Sequence, residues 1–165
     1  MCEYCGCQEI ATIGELTREH DAVVAEIAVV RRLVGEGNLD AVAKTAARIA
    51  EILSPHTEVE EDGLFPLMAQ DFPDHIHVLE DEHRLVEGVL AESTDGVPSA
   101  PGWPDRLIAT LELLRDHILK EQDGLFPASV TTLDPGDWQR IELLRARVGN
   151  AIDPEHQQSD DEEQT

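Results

Sequence analysis

One eleven-residue pattern occurs twice in this protein, as HTEVEEDGLFP at residues 56–66 and as HILKEQDGLFP at residues 117–127. The copies are identical at seven of their eleven positions. A Glu-His pair precedes each copy, at 19–20 and at 82–83, and its histidine lies 36 and 34 residues before the histidine that opens the copy. Internal repetition of this kind predicts that one supersecondary unit is used twice. The chain therefore reads as two copies of one hairpin.

The composition indicates that the hairpins are helical. Ala, Leu and Glu are abundant, aromatic residues make up 4%, and the β-branched residues do not alternate with polar ones. Apolar side chains recur at helical spacing in four segments, about 10–34, 39–68, 74–92 and 104 onward. We predict that Pro55 kinks the second segment, that 35–38, with its two glycines, ends the first, and that 93–101, which is rich in Gly, Pro, Ser and Asp, is a loop.

These segments predict an all-α protein, an up-down-up-down four-helix bundle with a short C-terminal fifth helix. The fifth helix is indicated by apolar residues at helical spacing after the Asp-Pro-Gly-Asp sequence at 134–137. At 165 residues the chain fits one domain. We predict a cysteine-containing arm at 1–9, the bundle at 10–152 and a disordered acidic tail at 153–165.

The formal net charge of -23 excludes several partners. A surface this acidic repels nucleic acid and anionic membranes. No run of about 18 apolar residues and no signal-peptide pattern occurs, so we expect a cytoplasmic protein with no membrane segment.

Histidine and glutamate at a spacing of four residues indicate a metal site inside the bundle. Residues four apart are neighbours on one helix face. The helical stripes place Val24 and Glu87, each four residues after a histidine, at equivalent inward positions. No lysine or arginine shares the inward stripes, so cations are the simplest way to neutralise the carboxylates. The predicted ligands are His20, His56, Glu60, His83, Glu87, His117 and Glu121.

The type of ligand and the repeat narrow this prediction. Nitrogen and oxygen donors without sulfur favour two first-row transition ions over a closed zinc site. A single inward histidine is more often an ordinary core residue, but that reading does not explain seven buried polar groups together. Glu58, Glu60 and Glu61 all lie near His56, yet only the middle one has an acid, Glu121, at its equivalent position. A ferritin-like site would need Glu-x-x-His on two helices, and the chain has that order once.

Two further features carry weaker predictions. Cys2, Cys5 and Cys7 could bind a soft metal or act as a redox element, and ordinary exposed cysteines are an equally good reading. His75 and His77 are expected on the surface.

The repeated motif, the Glu-His pairs and the His-x-x-x-Glu spacing together resemble the hemerythrin HHE cation-binding domain over about residues 10–130. The resemblance implies two iron ions, with His20 and His56 on one and His83 and His117 on the other. It also implies that Glu60 and Glu121 bridge the ions together with an oxo or hydroxo group, and that the first ion keeps a position open for a dioxygen species.

One departure from oxygen-carrying hemerythrins decides the expected function. Those proteins have a histidine where this chain has Glu87, and an added carboxylate should stabilise the diferric state. We therefore expect peroxide decomposition of a catalase-like kind. The alternative is a protein that binds or senses O2 or NO without turnover, whereas an iron reservoir is disfavoured because one bundle holds two ions.

Overall fold

The computed structural model describes residues 10–153, and these residues form helices and connecting turns with no strand among them. The α-helices are α1 (Ala11–Gly35), α2 (Leu39–Val59), α3 (Phe65–Met68), α4 (Pro73–Ala91), α5 (Trp103–Lys120), α6 (Phe126–Thr132) and α7 (Pro135–Val148). Two π-helical turns, Glu60–Leu64 and Glu121–Leu125, join α2 to α3 and α5 to α6.

The helices form the predicted bundle. Helix α1 packs against α2 and α5, and α4 also packs against α2 and α5, which closes a ring of four. Helix α7 is the predicted fifth helix and packs against α1, α2 and the first π turn. The predicted fold class is therefore confirmed.

Local sequence signals set the helix ends. The Asn38 side chain accepts a hydrogen bond from the Ala41 amide at the start of α2, which is the usual role of an N-cap. Asp134 and Asp137 form a reciprocal capping box at the start of α7. Gly102, with φ of 76°, supplies the left-handed residue that precedes α5. Pro55 lies within α2, which continues to Val59.

The repeated motif produces a π turn in both copies. We predicted one continuous helix over 39–68, but five residues from Glu60 are π-helical before α3 begins. In each copy a proline follows at the second position of the next helix. An α-helix would bring that ring against the carbonyl four residues earlier, and the wider turn relieves this clash. The recurrence of Pro66 and Pro127 is thereby explained.

Two apolar clusters fill the bundle, one on each side of a polar layer. One cluster contains Val23, Leu53, Val86 and Leu114, and the other contains Leu16. The four predicted histidine ligands lie between them along the helices. In the described part of the chain, no helix is both long and apolar enough to cross a membrane.

Candidate metal centre

Six of the seven predicted ligands meet in the polar layer. These six residues are at most 5% exposed, and both glutamates are completely buried. The potential ligand atoms fall into two groups in which all atoms lie within 4.8 Å of one another. The groups are His20, His56, Glu60 and Glu121, and His83, His117 and Glu121.

The first group draws on four elements of the fold. The Nε2 atoms of His20 on α1 and His56 on α2 are 3.1 Å apart. Glu121 Oε2 lies 3.1 Å from His20 Nε2, and Glu60 Oε2 lies 3.3 Å from His56 Nε2. Donor atoms about 3 Å apart match cis ligands of one ion with bonds of about 2.1 Å, the length typical of zinc–imidazole bonds.

The two glutamates connect this group to the second. Glu121 Oε1 lies 3.0 Å from His117 Nε2, while its other oxygen faces His20. Glu60 Oε2 lies 3.4 Å from His83 Nε2 as well as near His56. Each carboxylate therefore stands between histidines of both hairpins.

Each of the four clustered histidines has a polar partner outside the cluster at its Nδ1 atom. Glu19 accepts from His56, Glu82 from His117 and Glu61 from His83, each at 2.9 Å. The Gln122 side-chain amide lies 3.3 Å from His20 Nδ1. A hydrogen bond at Nδ1 orients the ring so that Nε2 is directed into the centre, as around metal-bound histidines.

Sequence reasoning missed these outer partners. Glu19 and Glu82 precede a histidine in both copies, so their recurrence was the available signal. Residues next to each other cannot share a helix face, and each glutamate reaches the histidine of the adjacent helix instead. Glu61 and Gln122 follow Glu60 and Glu121 but differ between the copies, which hid their common role.

We expected no lysine or arginine on the inward stripes, but the structure buries one arginine of α7 outside the cluster. Arg145 on α7 is 6% exposed and donates two hydrogen bonds to Glu19, at 2.9 and 2.8 Å. In the second copy, Lys120 contacts Glu82. Both cations balance the outer carboxylates, since they bind Glu19 and Glu82 and not the two central glutamates.

Phenylalanines of the repeat pack on the histidines. Phe65 stacks on His83 with ring centroids 5.5 Å apart, and Phe126 stacks on His20 at 5.7 Å. Each phenylalanine thus covers a histidine contributed by the other copy, which explains why it recurs in the motif.

The protein without metal balances the central charges with protons. Burial lowers the pKa of His56, but Glu60 and Glu19 outweigh it and raise that pKa to about 10. Burial is likewise outweighed by Glu60 and Glu121 at His83, whose pKa rises to about 9. Burial and the Glu60 charge raise the pKa of Glu121, but His117 and His20 hold it at about 2.

Unsatisfied atoms show that the residues present fit a cation. Both oxygens of Glu60, both oxygens of Glu121 and His117 Nε2 are buried and make no hydrogen bond of good geometry, although imidazole nitrogens lie 3.0–3.4 Å from three of the four oxygens. Buried acceptors without partners are costly, and a cation satisfies several of them at once. The donor set of imidazole and carboxylate suits first-row transition ions.

Glu87 is the predicted ligand that the structure does not bring into the cluster. Its side chain is exposed, as is Val24, so the inward placement of both positions was wrong. On α1 and α4 the residue three after the histidine, Val23 or Val86, faces inward, and the residue four after it is turned toward solvent.

The other sequence predictions have mixed outcomes. Glu58 is exposed whereas Glu60 is buried, in line with the choice made from the repeat. His75 and His77 are exposed, as expected. Cys2, Cys5 and Cys7 lie outside the described residues.

A small cavity adjoins the histidines. Its volume is about 10 Å³, near the lower limit for one water molecule. Leu53, Val86 and Leu114 supply apolar walls, and Glu87 lies at its border. The space beside the centre therefore holds at most about one water-sized group.

Comparison with known protein families identifies the domain. A family model described as the hemerythrin HHE cation binding domain matches residues 11–129. The chain belongs to the hemerythrin family. All six clustered residues lie within the matched part of this hemerythrin, and α7 lies beyond it. Hemerythrin domains bind non-heme metal cations, typically iron, and the buried His/Glu cluster fits such a site. Searches of curated proteins and of solved structures gave no match.

Proposed function

We propose that the protein holds two iron ions and decomposes hydrogen peroxide. His20 and His56 would bind one ion, His83 and His117 would bind the other, and Glu60 and Glu121 would bridge them. The observation that carries the proposal is the position of Glu121, whose two oxygens lie 3.1 and 3.0 Å from histidines of different groups. A carboxylate placed in this way is suited to bridge two ions.

The outer carboxylates favour oxidant chemistry over oxygen carriage. Three of the four imidazoles donate Nδ1–H to a carboxylate, which increases the basicity of the ligand and supports the higher oxidation state of the metal. These outer carboxylates thus supply the negative charge near the metal that we had expected from Glu87. A diferric resting state suits a protein that meets peroxide rather than one that carries O2.

The cavity limits what can react. Its apolar walls and small size favour the smallest ligands, such as H2O2, O2 or NO, over organic substrates. When bound, the iron pair would pass two electrons from one peroxide, which is oxidised to O2, to a second peroxide, which is reduced to water, in the balanced reaction 2 H2O2 → 2 H2O + O2. The chain positions the ions through the six ligands and excludes bulk water through Leu53, Val86 and Leu114. A cytoplasmic location remains a prediction from the sequence.

A second candidate is reversible or sensory binding of O2 or NO without turnover. The observation that favours it is the same small cavity, whose size and apolar walls do not distinguish a diatomic ligand from peroxide.

Iron content and peroxide turnover test the proposal together. We expect about two irons per chain and one O2 released per two H2O2 consumed by the diferric protein. His117→Ala should lose iron and turnover, while His75→Ala, which changes an exposed histidine, should keep both. Full iron loading without turnover, accompanied by an O2 adduct of the reduced protein that purging removes, would favour the second candidate. Absence of iron binding would refute both.

A further inference from the structure

Helix α7 packs on the first copy of the repeat. A Cβ atom added at Gly63, in the first π turn, would lie 3.1 Å from Leu144 Cδ2 and 3.5 Å from Ile141 Cγ2. At Gly124, the equivalent residue of the second π turn, such an atom would meet nothing within 4 Å. The glycine of the first copy thus leaves the space that α7 occupies, and the second copy has no equivalent neighbour there.

A buried chain of polar contacts links α7 to a histidine of the centre. The two terminal nitrogens of Arg145 donate to the two oxygens of Glu19, and Glu19 accepts from His56 Nδ1 at 2.9 Å. Arg145 also donates to the Gly149 carbonyl at the end of α7 and pairs with Glu15 at 3.2 Å. The guanidinium is therefore fixed on several sides.

The second copy has a weaker counterpart. Glu82 accepts from His117 Nδ1, but its cation is Lys120, whose side chain is 49% exposed, compared with 7% for Arg145. A lysine is a point charge on a flexible chain. An arginine fork fixes the plane of a carboxylate through two parallel hydrogen bonds. The two halves of the centre are thus supported unequally.

We propose that α7 is a working part of the metal centre and that Arg145 is a positioning residue for the ion held by His20 and His56. The inference rests on the proposed function in that it requires metal at the cluster. Without Arg145, Glu19 can rotate away from His56, and the imidazole loses the contact that directs Nε2 inward. Loss of such an outer contact typically weakens metal binding 10–100-fold.

Titration with Co²⁺, which does not oxidise under the assay conditions, tests this inference. The wild-type chain should bind two ions by calorimetry and visible absorption. In Arg145→Met one ion should bind about 10–100-fold more weakly and the other should be unchanged. Arg140→Met is the matched control, since it removes an exposed arginine from the same helix, and it should leave both ions unchanged.

A double-mutant cycle identifies the affected ion. Adding Arg145→Met to His56→Gln should cost little further affinity, because the contact runs through that imidazole. Adding it to His117→Gln should cost the full amount. Equal effects in the two backgrounds would contradict the inference.

A readout without metal separates this inference from the proposed function. The His56 Nδ1–H proton should give a downfield NMR signal, assigned by its absence in His56→Gln, that shifts or broadens in Arg145→Met and not in Arg140→Met. If the wild type binds no metal while this signal behaves as expected, the proposed function fails and the positioning contact stands. If circular dichroism shows that Arg145→Met does not fold, Arg145→Lys replaces it. This variant keeps the charge but not the fork, and it should weaken the binding of the same ion. Wild-type affinities in the folded variants would overturn the inference.

Discussion

Loading the metal centre should release protons, and the structure indicates how many. In the metal-free protein the pKa of His56 is raised to about 10 and that of His83 to about 9. Both imidazoles are therefore protonated at pH 7. Glu60 and Glu121 have lowered pKa values and carry no proton to displace. Since a metal binds the neutral imidazole, full loading should release at least about two protons per chain.

The magnitude follows from the two pKa values. At pH 7 only about one His83 in 100 and one His56 in 1,000 is neutral, and each pKa unit corresponds to about 1.4 kcal/mol. The combined affinity for two ions should rise about 100-fold per pH unit until the pH approaches 9, because each of the two displaced protons contributes a factor of about ten. The raised pKa values thus make metal binding weaker in acid and stronger in alkali.

Anaerobic calorimetry with Fe²⁺ at pH 7, in three buffers of different ionisation enthalpy, measures the released protons directly. The observed enthalpy should vary linearly with the buffer enthalpy, with a slope of about two or more protons per loaded chain. His75→Ala should give the same slope, because that histidine is exposed and outside the cluster. A slope below one proton, or an affinity that does not change between pH 6.5 and 8, would refute the charge balance described above.

Three further predictions concern stability and ligand identity. The raised histidine pKa values stabilise the metal-free fold fully below pH 6.5, and this contribution is lost as the pH rises through 9 to 10. The melting temperature of the metal-free protein should therefore fall over that range. A melting temperature that does not change with pH would contradict the pKa shifts. Gly124→Ala should stabilise the fold by up to about 1 kcal/mol, or about 2–4 °C in Tm, because helical alanine is favoured and nothing lies near the new methyl group. Gly63→Ala should stabilise the fold less, or destabilise it, because its methyl group would contact α7. Equal melting temperatures for the two variants would count against that contact. Glu87→Gln should keep the full iron content of the wild type and Glu121→Gln should lose at least one ion; loss of iron in Glu87→Gln would return that residue to the ligand set.

The repeat predicted most of the fold and located the residues that converge in the core. It did so because ligands must occupy equivalent positions on both hairpins, so seven identities in eleven residues pointed to one structural role. The choice of Glu60 over Glu58 came from the same comparison. Helical spacing failed at Glu87, since positions three and four residues after a histidine both lie near its face. Only packing against neighbouring helices decides which of the two is buried.

Contacts between helices were beyond the reach of the sequence. Glu19 and Glu82 recur beside histidines, but a sequence does not tell which adjacent helix each will reach. Arg145 lies outside the repeat and follows Ile141 by four residues, so it shares the apolar face of α7, but its partner Glu19 could not be read from that spacing. The recurring prolines were a signal for the π turns. A search for apolar periodicity does not detect them, because it does not consider the clash between a proline ring and the carbonyl four residues earlier.

The exchange of contacts between hairpins has a consequence for how the protein could be divided. His20 is covered by Phe126 and held near Gln122, and His83 is covered by Phe65 and held by Glu61. Neither hairpin alone can complete its own half of the centre. The chain therefore resembles a pseudo-symmetric pair of hairpins, and separating the two hairpins should leave each half of the centre incomplete. Because both hairpins belong to one chain, the two sides of the centre can have different neighbours, Arg145 on one side and Lys120 on the other.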